Sequence, residues 1–224
     1  MVAPRPLTAG SLLGLLLVLP IASGPASAAE CVVLDDFSRG RVGEFPPDWK
    51  ARKDEGRAVY SIREEGGRRF LHAESRGLGI QAGREVAWDL ETYPILTWAW
   101  RAVEFPKRSD ERRSGTNDSP VSVYAVFPSS PVSVKTLKYI WSRVVGTGTH
   151  LTSSAGNTQV RVLRTGTEKV SQWVEERVDV REGYRRYFKA DQAPKPVGIA
   201  VLTDSDDTRS SAQGDYAGFR ACKP

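Results

Sequence analysis

The chain has two cysteines, Cys31 and Cys222, at opposite ends of the part that can fold. Neither stands in a C-x-x-C pair or beside paired histidines, as a structural zinc site requires. In an oxidising compartment an even cysteine count reads as a disulfide. A bond between these two closes almost the whole chain, so the first and last strands must lie side by side.

The amino terminus supplies the compartment. Arg5 precedes an apolar run over 12–22, and Ala26-Ser27-Ala28 offers small residues for cleavage. That is the layout of a secretory signal peptide over residues 1–28. The run falls short of the about 20 apolar residues that a membrane-spanning helix needs. We therefore expect no membrane span after cleavage, and a periplasmic or secreted mature protein. Glu30, immediately before Cys31, argues against lipidation. Residues 29–224 suffice for a single domain with its own core.

The net charge is +5, with both signs interspersed along the chain. No basic block marks a nucleic-acid footprint, so nucleic acid is not an expected partner.

Short runs rich in Val, Ile, Trp, Tyr and Phe, bounded by turn formers, predict strands over 31–34, 58–62, 69–73, 95–102, 121–127, 139–145, 159–163, 173–180, 197–203 and 216–221. One helix is expected where Asp179-Val180-Arg181-Glu182 has capping-box spacing and Tyr184, Tyr187 and Phe188 follow on one face. Many strands with one short helix predict an all-β fold, an antiparallel β-sandwich of jelly-roll type.

Alternation assigns faces. Leu96, Trp98 and Trp100 should point inward, with Thr97, Ala99 and Arg101 outward. Val121, Val123, Ala125 and Phe127 should likewise be core, leaving Tyr124 outside. In 159–163 the same rule sends Val160 and Val162 inward and Arg161 outward. Were these strands neighbours, Arg101, Tyr124 and Arg161 would line one concave surface suited to sugar rings and carboxylates.

Two polar segments, 105–120 and 146–158, read as loops, where binding chemistry usually sits. Asp110, Glu111, Asn117 and Asp118 in the first, with Asp204, Asp206 and Asp207 after the 197–203 strand, are oxygen donors that a calcium ion could use. Ion pairing and turn formation explain the same residues. The stretch 199–208 (IAVLTDSDDT) matches a D-x-D-x-T phosphatase pattern, but too little chain follows for such an enzyme. No G-x-S-x-G elbow is present, and nothing marks a nucleophile for His72 or His150.

Several motifs, taken together and in order, resemble a family. Leu34-Asp35-Asp36-Phe37-Ser38, Phe45-Pro46-Pro47-Asp48-Trp49-Lys50 and the Pro94-to-Arg101 stretch resemble the bacterial secreted family called domain of unknown function 3047. So do Asp110-Glu111-Arg112, Asn117-Asp118, Tyr139-Ile140-Trp141-Ser142, and the stretches 121–128, 173–187 and 198–207. The resemblance implies a β-rich periplasmic domain and no established activity. The opening around Asp35, Asp36 and Phe37 also looks like that of galactose-binding-type jelly rolls and carbohydrate-binding modules. Those folds often hold a structural calcium beside the first and last strands, where Asp36 and Asp215 are the nearest equivalents.

The expected function is non-catalytic binding of a saccharide or another envelope component, with no cofactor beyond a structural calcium. Arg101, Asp110, Asp118, Tyr124 and Arg161 are the expected recognition residues. One rival is a glycan hydrolase using Asp118 and Asp204, which would need its two carboxyls about 5–9.5 Å apart. The other is a scaffold that docks an envelope protein through exposed aromatics.

Overall fold

Alternation decides which side chains meet. In a computed structural model, which describes residues 1–3 and 30–224, Leu96, Trp98 and Trp100 are buried, as are Val121, Val123, Ala125 and Phe127. Both sets join one core between two sheets, with Phe37, Trp49, Trp141, Tyr216 and Phe219. Apart from its first three residues, the expected signal peptide lies outside the described residues.

The strands are β1 (Cys31–Asp35), β2 (Trp49–Ala51), β3 (Tyr60–Glu65), β4 (Arg68–Arg76), β5 (Ala82–Glu85), β6 (Ile95–Glu104), β7 (Ser122–Ser130), β8 (Ser133–Ser142), β9 (His150–Thr152), β10 (Thr158–Thr165), β11 (Val174–Asp179), β12 (Gly198–Leu202) and β13 (Ser211–Cys222). One α-helix, α1 (Val180–Phe188), follows β11 directly. Among the described residues the fold is the expected all-β sandwich of jelly-roll type with one α-helix.

The six-stranded sheet runs β11-β6-β13-β4-β3, and β1 pairs with the final residues of β13. β13 is long enough to hold β4 against its first half and β1 against its second. Gly218 (φ +62°) takes a backbone conformation open to glycine between those halves. Cys31 and Cys222 are register partners, with Cα atoms 4.0 Å apart and a disulfide between them. The first and last strands do lie side by side.

The seven-stranded sheet runs β2-β5-β12-β7-β8-β10-β9. It departs from the antiparallel expectation once: β10 pairs with β8 in parallel. A return through β9 reverses the chain before β10, which makes that pairing possible.

Asp179 caps α1, its Oδ1 accepting the Glu182 amide at 2.8 Å. Tyr184 packs on Phe127 and Tyr187 stacks on His150. The helix therefore closes the core side of β8 and β10, where the six-stranded sheet does not reach. That corrects the faces read for β10. Gln159 and Arg161 align with Leu137 and Tyr139 of the core face, whereas Val160 and Val162 align with Lys138 and Ile140 on the outer face.

Candidate functional site

The outer face of the seven-stranded sheet is built of cross-strand rows. One row reads Gly83, Ala200, Tyr124, Lys138, Val160 and Leu151, and the next reads Leu202, Ser122, Ile140 and Val162. A third holds Val126, Thr136 and Thr158. Together they floor a cleft of about 930 Å³ that includes Tyr124, Lys138, Val160 and Leu202. Its walls are the loop between β6 and β7, through Glu111 and Asn117, and the β9–β10 turn, through Ser153, Ser154 and Asn157. Asp204 closes the floor beyond Leu202. The two polar segments singled out in the sequence are thus the two walls of one cleft.

The walls are pinned from beneath. Ser142 Oγ donates to Glu111 Oε2 at 2.5 Å and Ser119 Oγ donates to Glu111 Oε1 at 2.9 Å. Burial raises the Glu111 carboxyl above its ordinary range, against these donors. Asp118 is fully buried. Its Oδ2 accepts from the Thr208 amide at 2.8 Å and from Thr208 Oγ1 at 2.6 Å. Asp118 therefore ties the loop after β12 to the entry of β7.

Lys138 lies near the centre of the floor, its Nζ 5.5 Å from the Tyr124 ring. Desolvation pulls its ammonium down, but Tyr124, Asp204 and Glu111 outweigh that, and it stays charged. Burial, opposed by Lys138 and aided by Asp118 and Asp206, raises Asp204 to about 7. A cation, a hydroxyl and two carboxyl groups converge in one concavity, beside the apolar surface of Val160 and Leu202.

The residues expected from sequence to act together are dispersed. β6 belongs to the other sheet, so Arg101 stands on the opposite outer face from Tyr124. Arg161 projects toward the helix side of its sheet. Neither shares the cleft, and the single surface of Arg101, Tyr124 and Arg161 is not formed. Asp110 pairs with Arg112 at 2.8 Å, which holds its carboxyl down at about 2, and it lines a neighbouring groove with Arg113 and Arg143. Of the five, only Tyr124 lines the cleft. Asp118 and Asp204 come from adjoining loops, yet only Asp204 reaches it.

Asp36 and Asp215 do not fit the calcium that the jelly-roll resemblance suggests. Both Asp215 oxygens are engaged, one by His72 Nδ1 at 2.7 Å and one by Arg101 Nε at 2.6 Å. Asp36 accepts the Ser38 amide in a local turn. His150, 2.7 Å from Gln159 Oε1 and stacked on Tyr187, is likewise held in place.

Sequence reasoning missed Lys138. Its signal was the alternation in 136–141 (TLKYIW), where Thr136, Lys138 and Ile140 share the outer face while Leu137, Tyr139 and Trp141 fill the core.

Fold and cleft together define a disulfide-closed β-sandwich with a polar concavity on one sheet. The chain belongs to the family described as "Protein of unknown function (DUF3047)", whose pattern matches residues 47–220. No curated protein matches it in sequence. Among solved structures it is similar to the K1 cleaved adhesin domain of Lys-gingipain from Porphyromonas gingivalis W83, with TM-score 0.38 and 14% identity, covering 85% of this chain and 96% of that one. It is similar to the family 11 xylanase from Neocallimastix patriciarum, with TM-score 0.40 and 12% identity over 79% of this chain and 96% of that one. A mannan-recognising carbohydrate-binding module, TmCBM27, matches with TM-score 0.35 and 13% identity over 88% of this chain and 99% of that one. At these levels of similarity the matches carry no argument about what this chain binds. Among the described residues no helix is long and apolar enough to cross a membrane.

Proposed function

We propose that this is a secreted, non-catalytic saccharide-binding protein of the cell envelope, and that the sugar sits in the cleft on the seven-stranded sheet. The observation that carries this reading is the row Tyr124–Lys138–Val160 on the cleft floor, with Asp204 beside it. A sugar ring has an apolar C–H face and a rim of hydroxyls. Val160 and Leu202 suit the face, while Lys138 and the carboxyls supply the stronger, charge-assisted hydrogen bonds. Ser153, Ser154, Asn117 and Asn157 on the walls add neutral partners for further hydroxyls. The disulfide supports an oxidising location.

Binding is favoured over hydrolysis because Asp118, the carboxylate that a hydrolase would pair with Asp204, does not line the cleft. Both Asp118 oxygens receive backbone or hydroxyl donors away from the cleft, and both Glu111 oxygens are held by serines. Neither is free to attack a sugar. A docking scaffold is less favoured, because among the described residues the large exposed apolar side chains beyond Met1 are all valines and none is aromatic.

Calorimetric titration of the purified, oxidised protein with envelope oligosaccharides tests the reading. Lys138→Ala should weaken binding at least about tenfold, the worth of one charge-assisted hydrogen bond, and Arg161→Ala should leave it unchanged. Failure of every oligosaccharide to bind, or equal binding by Lys138→Ala, would defeat it. Release of new reducing ends in the same mixtures would instead make the protein a hydrolase.

A further inference from the structure

The loop between β6 and β7 walls a second concavity besides the cleft, a groove of about 800 Å³. Lys107, Arg108, Arg112, Arg113 and Arg143 line it, and the acids among its lining residues are Asp110 and Asp207. Five basic side chains against two acids leave an excess of three positive charges, whereas surfaces ordinarily intersperse the two signs. Both acids are already engaged. Arg112 donates to each Asp110 oxygen at 2.8 Å, and Asn117 Nδ2 donates to Asp207 Oδ2 at 2.7 Å. Among the described residues no carboxylate forms an ion pair with Lys107, Arg108 or Arg143.

These cations stand on a braced frame. The Asp110 amide donates to the Thr116 carbonyl at 2.8 Å and the Thr116 amide to the Arg113 carbonyl at 3.1 Å, which folds the loop back on itself. The Lys107 amide donates to Ser210 Oγ at 3.1 Å, tying the start of the loop to the entry of β13. Ser142 Oγ accepts the Val144 and Val145 amides and so fixes the turn that carries Arg143. Arg108 has φ +59°, in the left-handed region where glycine would be less costly, yet a long cationic side chain occupies that position. A frame that is already ordered loses little further freedom when a ligand binds.

We propose that this groove binds a phosphomonoester group. Guanidinium forks match phosphate oxygens with paired, charge-assisted hydrogen bonds. A carboxylate brings one negative charge, whereas a phosphomonoester brings about −1.5 to −2 at pH 7 together with three acceptor oxygens. An excess of three positive charges is better matched by the second. Arg112 spends Nε and Nη2 on Asp110, which orients its guanidinium and leaves Nη1 for a ligand. Arg108, Arg143 and Lys107 supply donors that no carboxylate holds. A soluble sugar phosphate and a phosphorylated lipid headgroup share this chemistry. The site does not depend on the saccharide reading of the cleft.

Two arms test the proposal with the purified, oxidised protein. One is calorimetric titration with glucose 6-phosphate, with glucose and glucuronate as controls. The other is co-sedimentation with phosphatidylcholine vesicles that contain phosphatidic acid or, separately, phosphatidylglycerol. Saturable binding of glucose 6-phosphate, with glucose and glucuronate at least about tenfold weaker, supports a soluble sugar phosphate. Binding confined to the phosphatidic acid vesicles supports a lipid headgroup. In either arm binding should weaken below about pH 6, where the phosphomonoester takes up its second proton. The double variant Arg108→Gly/Arg143→Ala relieves the backbone at one position and trims an exposed side chain at the other, so it should keep its unfolding midpoint. Its binding should fall at least about tenfold, the worth of one charge-assisted hydrogen bond. Arg41→Ala/Arg220→Ala removes as many exposed charges outside the groove and should bind as the wild type does. Absence of saturable binding in both arms would overturn the proposal. So would equal binding of glucuronate and glucose 6-phosphate, or equal losses in the two double variants.

Discussion

Asp215 accepts the Nε hydrogen of Arg101 at 2.6 Å, directly across the register that pairs β13 with β6. On the other side of β13, His72 of β4 reaches the second oxygen of the same carboxylate. Three neighbouring strands are thus joined on the outer face of the six-stranded sheet, and Phe70 and Trp173 flank the Arg101 guanidinium. Asp215 is 1% exposed, so without its carboxylate Arg101 and His72 would both face a buried gap.

Removing one member of a buried pair strands its partner. Asp215→Ala is expected to cost about 3–5 kcal/mol, read by urea unfolding. Glu65→Ala, which deletes the solvent-exposed partner of Arg101, should cost under about 1 kcal/mol. Similar losses from the two variants would show that burial does not set the strength of this network.

The Cys31–Cys222 bond spans 191 residues of sequence. On the chain-entropy estimate, cross-linking so long a loop contributes on the order of 5 kcal/mol by restricting the unfolded chain. The double Cys31→Ala/Cys222→Ala variant should lose most of that in guanidinium unfolding. A loss below about 1 kcal/mol would mean that β1 is held by its ladder and core contacts instead.

Glu111 predicts a pH dependence. Burial holds its folded-state carboxyl above the ordinary value of 4.5, despite Ser142, Ser119 and the nearby Lys138. Protonation therefore favours the folded state. The contribution is full below the ordinary carboxylate range, fades as pH rises through the raised value, and is constant above it. Comparison of wild type with Glu111→Gln across this window isolates the effect. The gap between their unfolding free energies should change with pH in that sense, and a pH-independent gap would count against it.

Gly214 lies on the core side of β13, beneath the entry to β7. A Cβ there would overlap Val121 Cγ1 and stand 2.8 Å from the Pro120 carbonyl oxygen. Gly214→Ala should therefore destabilise by about 1–3 kcal/mol through overpacking. Val121→Ala made together with it should recover part of the loss, as measured by thermal unfolding.

Much of the fold was legible because its signals are local. Period-2 alternation identified the inward faces of β6 and β7 from their own residues. Asp179 announced the start of α1, and the terminal cysteines implied that β1 and β13 are neighbours. Strands β2, β5 and β9 escaped because they are three or four residues long and include Gly83, Arg84 and His150, which carry little strand preference.

What the residues alone determined was therefore an all-β chain, its closing disulfide, its helix cap and most of its core. Which sheet each strand joins was decided only by tertiary structure, since pairing is a contest among distant segments that no local period records. That contest separated Arg101 from Tyr124 by the full thickness of the sandwich. It also set β10 parallel to β8, with helix α1 covering the core side, so that Val160 rather than Arg161 faces the cleft. Lys138 and Asp204, far apart in sequence, meet on one concave face because β7 holds β8 on one edge and β12 on the other.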